Sequence, residues 1–157
     1  MDRPETHRNP EPQPGAKTAK RHRRASAAKG KVRRGAVSLA LEAERGFAKS
    51  EASQLFARVA ATSPLPTGKL RAGLIPDSSW KRARKTLGPQ ASQTAARLSH
   101  ILAIAERIWG NEKDATGWLN SPHPELEGSA PITLLRTEAG GRVIESLLAA
   151  LEFGFPV

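Results

Sequence analysis

Hydrophobic residues recur through most of the chain at the three- and four-residue spacing of amphipathic helices. The clearest run covers about four or five helical turns: Leu98, Ile101, Leu102, Ala105, Ile108 and Trp109. Gly110 predicts the end of this helix, and Asn111, Pro131 and Thr137 predict the starts of three later ones. The alternation typical of β-strands is missing. We therefore predict an all-α fold.

The last helix is predicted to end at Gly154. Its inner face is expected to carry the large aliphatic side chains Val143, Ile144, Leu147, Leu148 and Leu151. The pair Gly140–Gly141 near its start indicates close packing against another helix rather than a phosphate-binding loop, because neither a strand nor a P-loop lysine accompanies it.

Residues 67–87 resemble a helix-turn-helix motif in layout, with a turn containing Gly73 before a second helix. Asp77 is predicted to cap that helix, which should run from Ser78 to about Leu87 with Trp80 facing inward. The outward positions are small polar or cationic: Ser78, Ser79, Lys81, Arg82, Arg84 and Lys85.

This second helix is a candidate DNA-recognition helix. Ser78 and Ser79 would lie nearest the bases, and Arg82 has the donors for a bidentate contact with guanine. The other cations, Lys81, Arg84 and Lys85, would contact phosphates. The alternative is a solvated basic face on a small helical bundle.

The net charge of +10 is concentrated at the front of the chain. Residues 1–35 carry eleven Lys/Arg against three Asp/Glu, whereas residues 96–157 carry five against eight. Residues 1–35 contain almost no large apolar side chains, so we predict a disordered basic tail that either grips DNA or keeps the chain in solution. We predict a DNA-binding domain over residues 36–95 and a second domain over 96–157.

Several classes of function are disfavoured by the residues present. The chain has no Cys, which excludes disulfides and thiolate chemistry. Its four His lack metal-ligand spacing, and no nucleophile, base and orienting group come together in the sequence. No apolar run reaches the length of a membrane span, and the polar N-terminus lacks a signal-peptide core. We expect a cytoplasmic, non-enzymatic protein without metal, cofactor or membrane contact.

The C-terminal third resembles the toxin-binding domain of the Xre-type antitoxins, the MbcA/ParS-like group. The resemblance covers about residues 96–157 and rests on many fixed positions: Ile108-Trp109-Gly110, Ala115, Trp118-Leu119, Ser121-Pro122, Leu126, Gly128, Pro131, Leu134-Leu135, Thr137-Glu138-Ala139-Gly140, Val143, Leu147-Leu148 and Glu152-Phe153-Gly154. Members of this group also place an Xre-like helix-turn-helix before this domain, which residues 36–95 match in layout but only weakly in sequence.

The resemblance implies an antitoxin whose partner is a RES-domain toxin that degrades NAD. The antitoxin would cover the toxin's active-site mouth with its C-terminal region, and the terminal residues Gly154, Phe155, Pro156 and Val157 are the expected contacts. It further implies a homodimer that binds operator DNA and represses its own operon. For Phe155 the alternative is packing onto the chain's own core.

Two other functions are compatible with the residues. One is a stand-alone helix-turn-helix nucleic-acid-binding regulator without a toxin. The other is a structural adaptor whose C-terminal bundle binds an unrelated protein.

Overall fold

The computed structural model describes residue 41 and residues 45–154, all within one unit spanning Val37–Val157. Seven α-helices have both ends in this part of the chain. They are α1 (Lys49–Ala60), α2 (Thr67–Leu74), α3 (Asp77–Arg82), α4 (Pro89–Trp109), α5 (Glu112–Asn120), α6 (Pro131–Leu134) and α7 (Glu138–Phe153), with a 3-10 helix (Pro124–Leu126) before α6. The described residues contain one isolated β-bridge and no strand, which confirms the all-α prediction. The predicted tail, residues 1–35, lies outside the described residues.

Helix α4 is the longest described helix and the centre of the core. Both α5 and α7 pack against it. Its buried face is made of small and branched aliphatic side chains: Ala91, Ala95, Leu98, Ile101, Leu102 and Ala105. Pro89 occupies the first helical turn, where its missing N–H costs nothing, and Gly110 ends the helix with a φ of +75°. The predicted helix end at Gly110 is therefore confirmed, whereas the helix starts before the run that predicted it.

Helix α1 packs on α2 and α5 and so connects the N-terminal helices of the described chain with the C-terminal ones. Phe56 and Val59 are fully buried on its inner face. The Nδ2 atom of Asn120 in α5 donates hydrogen bonds to the Val59 carbonyl at 2.8 Å and to the Thr62 hydroxyl at 3.1 Å. One hydrophobic cluster consequently runs from Ala52 to Leu148.

The predicted boundary between residues 95 and 96 lies inside α4. Both flanking residues, Ala95 and Ala96, are fully buried. The assignment of separate functions to residues 36–95 and 96–157 stays a prediction.

Side-chain caps begin the helices of the C-terminal half as predicted. The Asn111 side chain accepts a hydrogen bond from the Asp114 N–H at 2.8 Å, and the Thr137 hydroxyl accepts one from the Gly140 N–H at 3.0 Å. Such caps each stabilise a helix by roughly 1 kcal/mol. Pro131 stands at the first position of α6, also as predicted.

The glycine pair at the start of α7 permits two close approaches. A Cβ atom on Gly140 would overlap the carbonyl oxygen of Leu134, and one on Gly141 would overlap the Arg97 side chain of α4. Arg97 in turn donates from Nη1 to the Leu135 carbonyl at 2.8 Å, and its partial burial lowers the pKa of its guanidinium. The expected role of this glycine pair in close packing is confirmed.

We expect Gly140→Ala to destabilise the protein by about 1–3 kcal/mol, because the added methyl group meets backbone that cannot move without shifting α6. The change would appear as a lower urea midpoint. Gly117→Ala is the matched control, since Gly117 lies in α5 with open space around it and alanine favours helix by up to about 1 kcal/mol. Equal midpoints for Gly140→Ala and the wild type would contradict the close packing of α6 against α7.

Candidate functional site

Helices α2 and α3 form the two short helices predicted between residues 67 and 87, but α3 is shorter than predicted. It ends at Arg82 rather than near Leu87, and Ala83 already has an extended backbone. The predicted N-cap is also wrong, because Pro76 is the N-cap and Asp77 is the first helical residue. Trp80 therefore does not share one helical face with Leu87.

The early helix end has a tertiary cause. The N–H of Leu87 donates to the carbonyl of Phe47 at 2.9 Å, and the N–H of Lys49 donates to the carbonyl of Lys85 at 2.8 Å. These bonds, with the bridge between Ala48 and Thr86, hold the chain in a non-helical conformation beside the start of α1. Leu87 is still buried, as predicted, but it reaches the core from a non-helical segment.

The six proposed DNA contacts consequently divide into two groups. Four lie on α3, where Ser78, Lys81 and Arg82 are exposed and Ser79 is half-buried. The other two, Arg84 and Lys85, are exposed side chains of the non-helical segment, residues 83–87, which we call the basic segment. The placement of Arg84 and Lys85 on a recognition helix was wrong, and their contact with DNA stays a prediction.

Trp80 anchors α3 to the core. Its ring meets the ring of Phe56 edge-on at 6.1 Å between centroids. Lys49 and Arg71 each place a cation over the Trp80 ring, at 5.4 Å and 4.9 Å from the centroid. Since its ring is occupied by these contacts, Trp80 fixes the position of α3 and leaves the opposite, cationic face of the helix towards solvent.

An ion pair between Arg71 and Asp77 spans the turn between α2 and α3. The Arg71 guanidinium also donates to the Ile75 carbonyl at 3.3 Å. A hydrogen bond from Arg71 lowers the pKa of the Asp77 carboxyl below its ordinary value. The side chain that was predicted to cap α3 therefore ties α3 to α2 instead.

A second candidate surface lies on the outer face of α7. Four apolar residues share this face with the exposed Ser146, and we call these four the apolar ridge: Ala139, Val143, Ala150 and Phe153. Val143 is 48% exposed and Phe153 is 53% exposed. The inner face holds Ile144, Leu147 and Leu148.

The predicted inner face of α7 is wrong for two of its residues. Val143 belongs to the ridge, and Leu151 is 38% exposed near the end of the helix. The expected stripe was wider than the surface that α4 and α6 cover. The sequence signal that could have found the ridge is the spacing from Val143 to Phe153, which places both on the face opposite Leu148.

Ion pairs hold both ends of α7. Arg142 pairs with Glu138 one turn earlier, and a hydrogen bond from Arg142 lowers the pKa of Glu138. At the other end, Glu152 lies 2.7 Å from Arg107 of α4. Gly154 ends the helix with a φ of +67°, as predicted. Phe155, Pro156 and Val157, the other proposed toxin contacts, lie outside the described residues.

The residues that carry the family resemblance are mostly packing residues. The rings of Trp109 and Trp118 lie 5.0 Å apart, and Trp118 meets His123 edge-on at 6.0 Å. His123 begins the loop before α6, where its carbonyl accepts the N–H groups of Leu126 and Gly128. These residues position α6, and through it α7.

The described residues contain no cluster of three His, Asp or Glu side chains that could hold a metal ion. His100 of α4 lies 3.6 Å from Glu145 of α7. These are two potential ligands, fewer than a metal site needs. No described helix combines the length and the apolar character needed to cross a membrane.

Residues 105–154 match the family described as the antitoxin Xre/MbcA/ParS C-terminal toxin-binding domain. The chain is similar to "Antitoxin Xre" of Yersinia enterocolitica, with 34% identity over 54% of this chain and 60% of the relative. It is also similar to "Antitoxin Xre" of Pseudomonas putida, with 32% identity over 38% of this chain and 37% of the relative. The matched parts thus span under two thirds of either relative. The resemblance predicted from the sequence is confirmed, and the matched family region includes the whole apolar ridge.

The Arg71–Asp77 pair predicts a pH-dependent difference between the wild type and Asp77→Asn. Because the folded state lowers the pKa of Asp77, the carboxylate stabilises the fold above its unfolded pKa and loses this effect as the pH falls through the lower, folded pKa. We expect the wild type to have the higher urea midpoint at pH 7 and the two midpoints to converge near pH 2. A difference that stays constant across this range would exclude the ion pair as its cause.

Proposed function

Since residues 105–154 match the Xre/MbcA/ParS toxin-binding domain, we propose that this protein is the antitoxin of a type II toxin–antitoxin pair. The observation that carries the proposal is the apolar ridge on the outer face of α7, within the matched region. An exposed apolar stripe on a well-capped helix is a surface that a protein partner would bury. The protein acts as a binding module and performs no reaction of its own.

The proposed partner is a RES-domain toxin that degrades NAD, as the family resemblance implies. A site for a phosphate-rich dinucleotide needs positive charge, and residues 96–157 carry five Lys/Arg against eight Asp/Glu. Opposite charge across the interface would favour this encounter and disfavour other partners.

Neutralisation would occur by occlusion of the toxin's active site. The ridge would bind beside the active-site mouth, and Gly154, where α7 ends, would direct Phe155, Pro156 and Val157 towards it. Glu152 supports this arrangement because its pair with Arg107 holds the end of α7 against α4. A fixed helix end reduces the entropy that binding would otherwise cost.

We further propose that the protein binds operator DNA as a homodimer and represses its own operon. Helix α3 would present Ser78, Ser79 and Arg82 to base edges and Lys81 to a phosphate. The contacts of Trp80 support this role, since they hold α3 with its cationic face outward.

The second candidate is a stand-alone helix-turn-helix nucleic-acid-binding regulator. The basic surface around α3 favours it, because that surface needs no toxin. It would leave the apolar ridge without a partner, and for that reason we place it second.

We expect Val143→Glu to weaken binding to the toxin encoded beside this gene by at least about tenfold, equivalent to about 1.4 kcal/mol. The reason is that an unpaired carboxylate would be buried where an apolar side chain belongs, while glutamate still favours helix. Growth rescue on co-expression and calorimetric titration of the purified pair would measure the effect.

The matched control is Leu65→Glu, because Leu65 is 49% exposed, similar to Val143, and lies outside the matched region. It should bind and rescue like the wild type. Deletion of residues 155–157, which keeps the Gly154 cap, should weaken rescue without lowering the urea midpoint. Full rescue by both Val143→Glu and the truncated chain would reject the occlusion proposal.

For DNA, we expect Arg82→Ala to weaken binding to the gene's own promoter by roughly 1–3 kcal/mol and to relax the preference at one base pair. Footprinting and competition with single-base variants of the promoter would show the change. Arg136→Ala, which removes an exposed cation far along the sequence from α3, is the control. An unchanged footprint and an unchanged base preference would remove Arg82 from the contacts.

A further inference from the structure

The basic segment separates two open grooves. One groove, of about 600 Å³, is lined by Lys49, Ser50 and Ser53 of α1 together with Trp80, and the other, of about 740 Å³, by residues of α3 and the start of α4. Arg84 and Lys85 line both grooves. Two adjacent cations therefore stand on the wall between two concave surfaces.

The backbone of this segment is fixed on both sides. In addition to its bonds with Phe47 and Lys49, the carbonyl of Ala83 accepts from the Lys49 ammonium at 2.8 Å. The Ser92 hydroxyl of α4 donates to the Leu87 carbonyl at 3.0 Å and accepts from the Phe47 N–H at 2.9 Å. Ordering of the chain before a ligand arrives lowers the entropy lost on binding.

The cations of this surface have no carboxylate partner among the described residues. Within residues 45–154, ion pairs occupy Arg58, Arg71, Arg107 and Arg142 but none of Lys81, Arg82, Arg84 and Lys85. Together with the hydroxyls of Ser50, Ser53 and Ser79, these side chains are the types that contact the phosphates of a nucleic acid.

We propose that the basic segment is a clamp for the phosphate backbone of duplex DNA, distinct from the base contacts of α3. Arg84 and Lys85 would each neutralise a phosphate whatever the base sequence, while Ser78, Ser79 and Arg82 of α3 would read the bases. The proposal rests on the DNA-binding role proposed above and extends it to a non-helical segment.

Duplex DNA fits this surface better than a single strand does. Binding of single strands relies on aromatic side chains on which bases stack, and the aromatic ring in the groove, Trp80, is already covered by Lys49, Arg71 and Phe56. The surface therefore has no free aromatic ring on which a base could stack. Its charged and hydroxyl groups are suited to contacts with the phosphate backbone of DNA.

The test is the salt dependence of DNA affinity for the full-length chain, measured by fluorescence anisotropy on two duplexes of unrelated sequence. The variant is Arg84→Gln/Lys85→Gln, which alters two exposed side chains and leaves their backbone bonds in place. The control is Lys113→Gln/Arg136→Gln, which removes the same charge at exposed positions outside the surface. Urea midpoints equal to that of the wild type would show that both folds are intact.

At about 0.9 per phosphate contact, the slope of log affinity against log salt should become shallower by about 1.8 in Arg84→Gln/Lys85→Gln, equally on both duplexes. The control should keep nearly the wild-type slope. Equal slopes for the two double variants would overturn the clamp. Equal binding of the wild type to poly-glutamate and to duplex DNA would also overturn it, in favour of an acidic protein partner.

Toxin rescue by the wild-type chain separates this proposal from the antitoxin proposal. A chain that rescues growth but binds no duplex would overturn the clamp and the operator-binding proposal and would leave toxin neutralisation standing. A chain that shows the expected change of slope but never rescues would support the clamp and contradict neutralisation.

Discussion

The described fold depends on the burial of helix α4 by elements from both halves of the chain. Helices α5 and α7 pack against its 21 residues, and Ser92 near its start bonds the Phe47 N–H and the Leu87 carbonyl. The protein has only four Phe, three Trp and no Tyr, so no element can be covered by a few large side chains. The helices are instead packed through small residues that let them approach closely. For that reason the fold needs glycine at positions 140 and 141.

The two candidate surfaces are placed by the same helix. The basic segment is attached near the start of α4 through Ser92, and the end of the apolar ridge is attached near its finish through Arg107 and Glu152. A helix of this length is about 30 Å long. The Phe153 end of the ridge therefore lies near the opposite end of α4 from the basic segment, whereas Gly141 at the start of α7 already approaches Arg97. The surfaces also differ in chemistry, because one is cationic and hydroxylic whereas the other is apolar.

Short-range rules predicted the C-terminal half well. Asn111 and Thr137 cap helices through hydrogen bonds to residues three positions later. Both partners of each bond are therefore visible in the local sequence. The same rules failed at α3, where helical spacing continued to Leu87 but the helix stops at Arg82. The interaction that stops it comes from Phe47 and Lys49, more than thirty residues away, and no local pattern contains that information.

The sequence by itself determined the all-α class, the ends of α4 and α7, the Asn111 and Thr137 caps, and the family resemblance of the C-terminal third. These follow from local hydrogen bonding, backbone preference and periodic burial, all of which are properties of neighbouring residues. Only the tertiary structure decided that Val143 faces solvent and that Arg84 and Lys85 lie on a non-helical segment. Both outcomes depend on which distant element covers a surface, because burial and backbone pairing are settled between elements rather than within them.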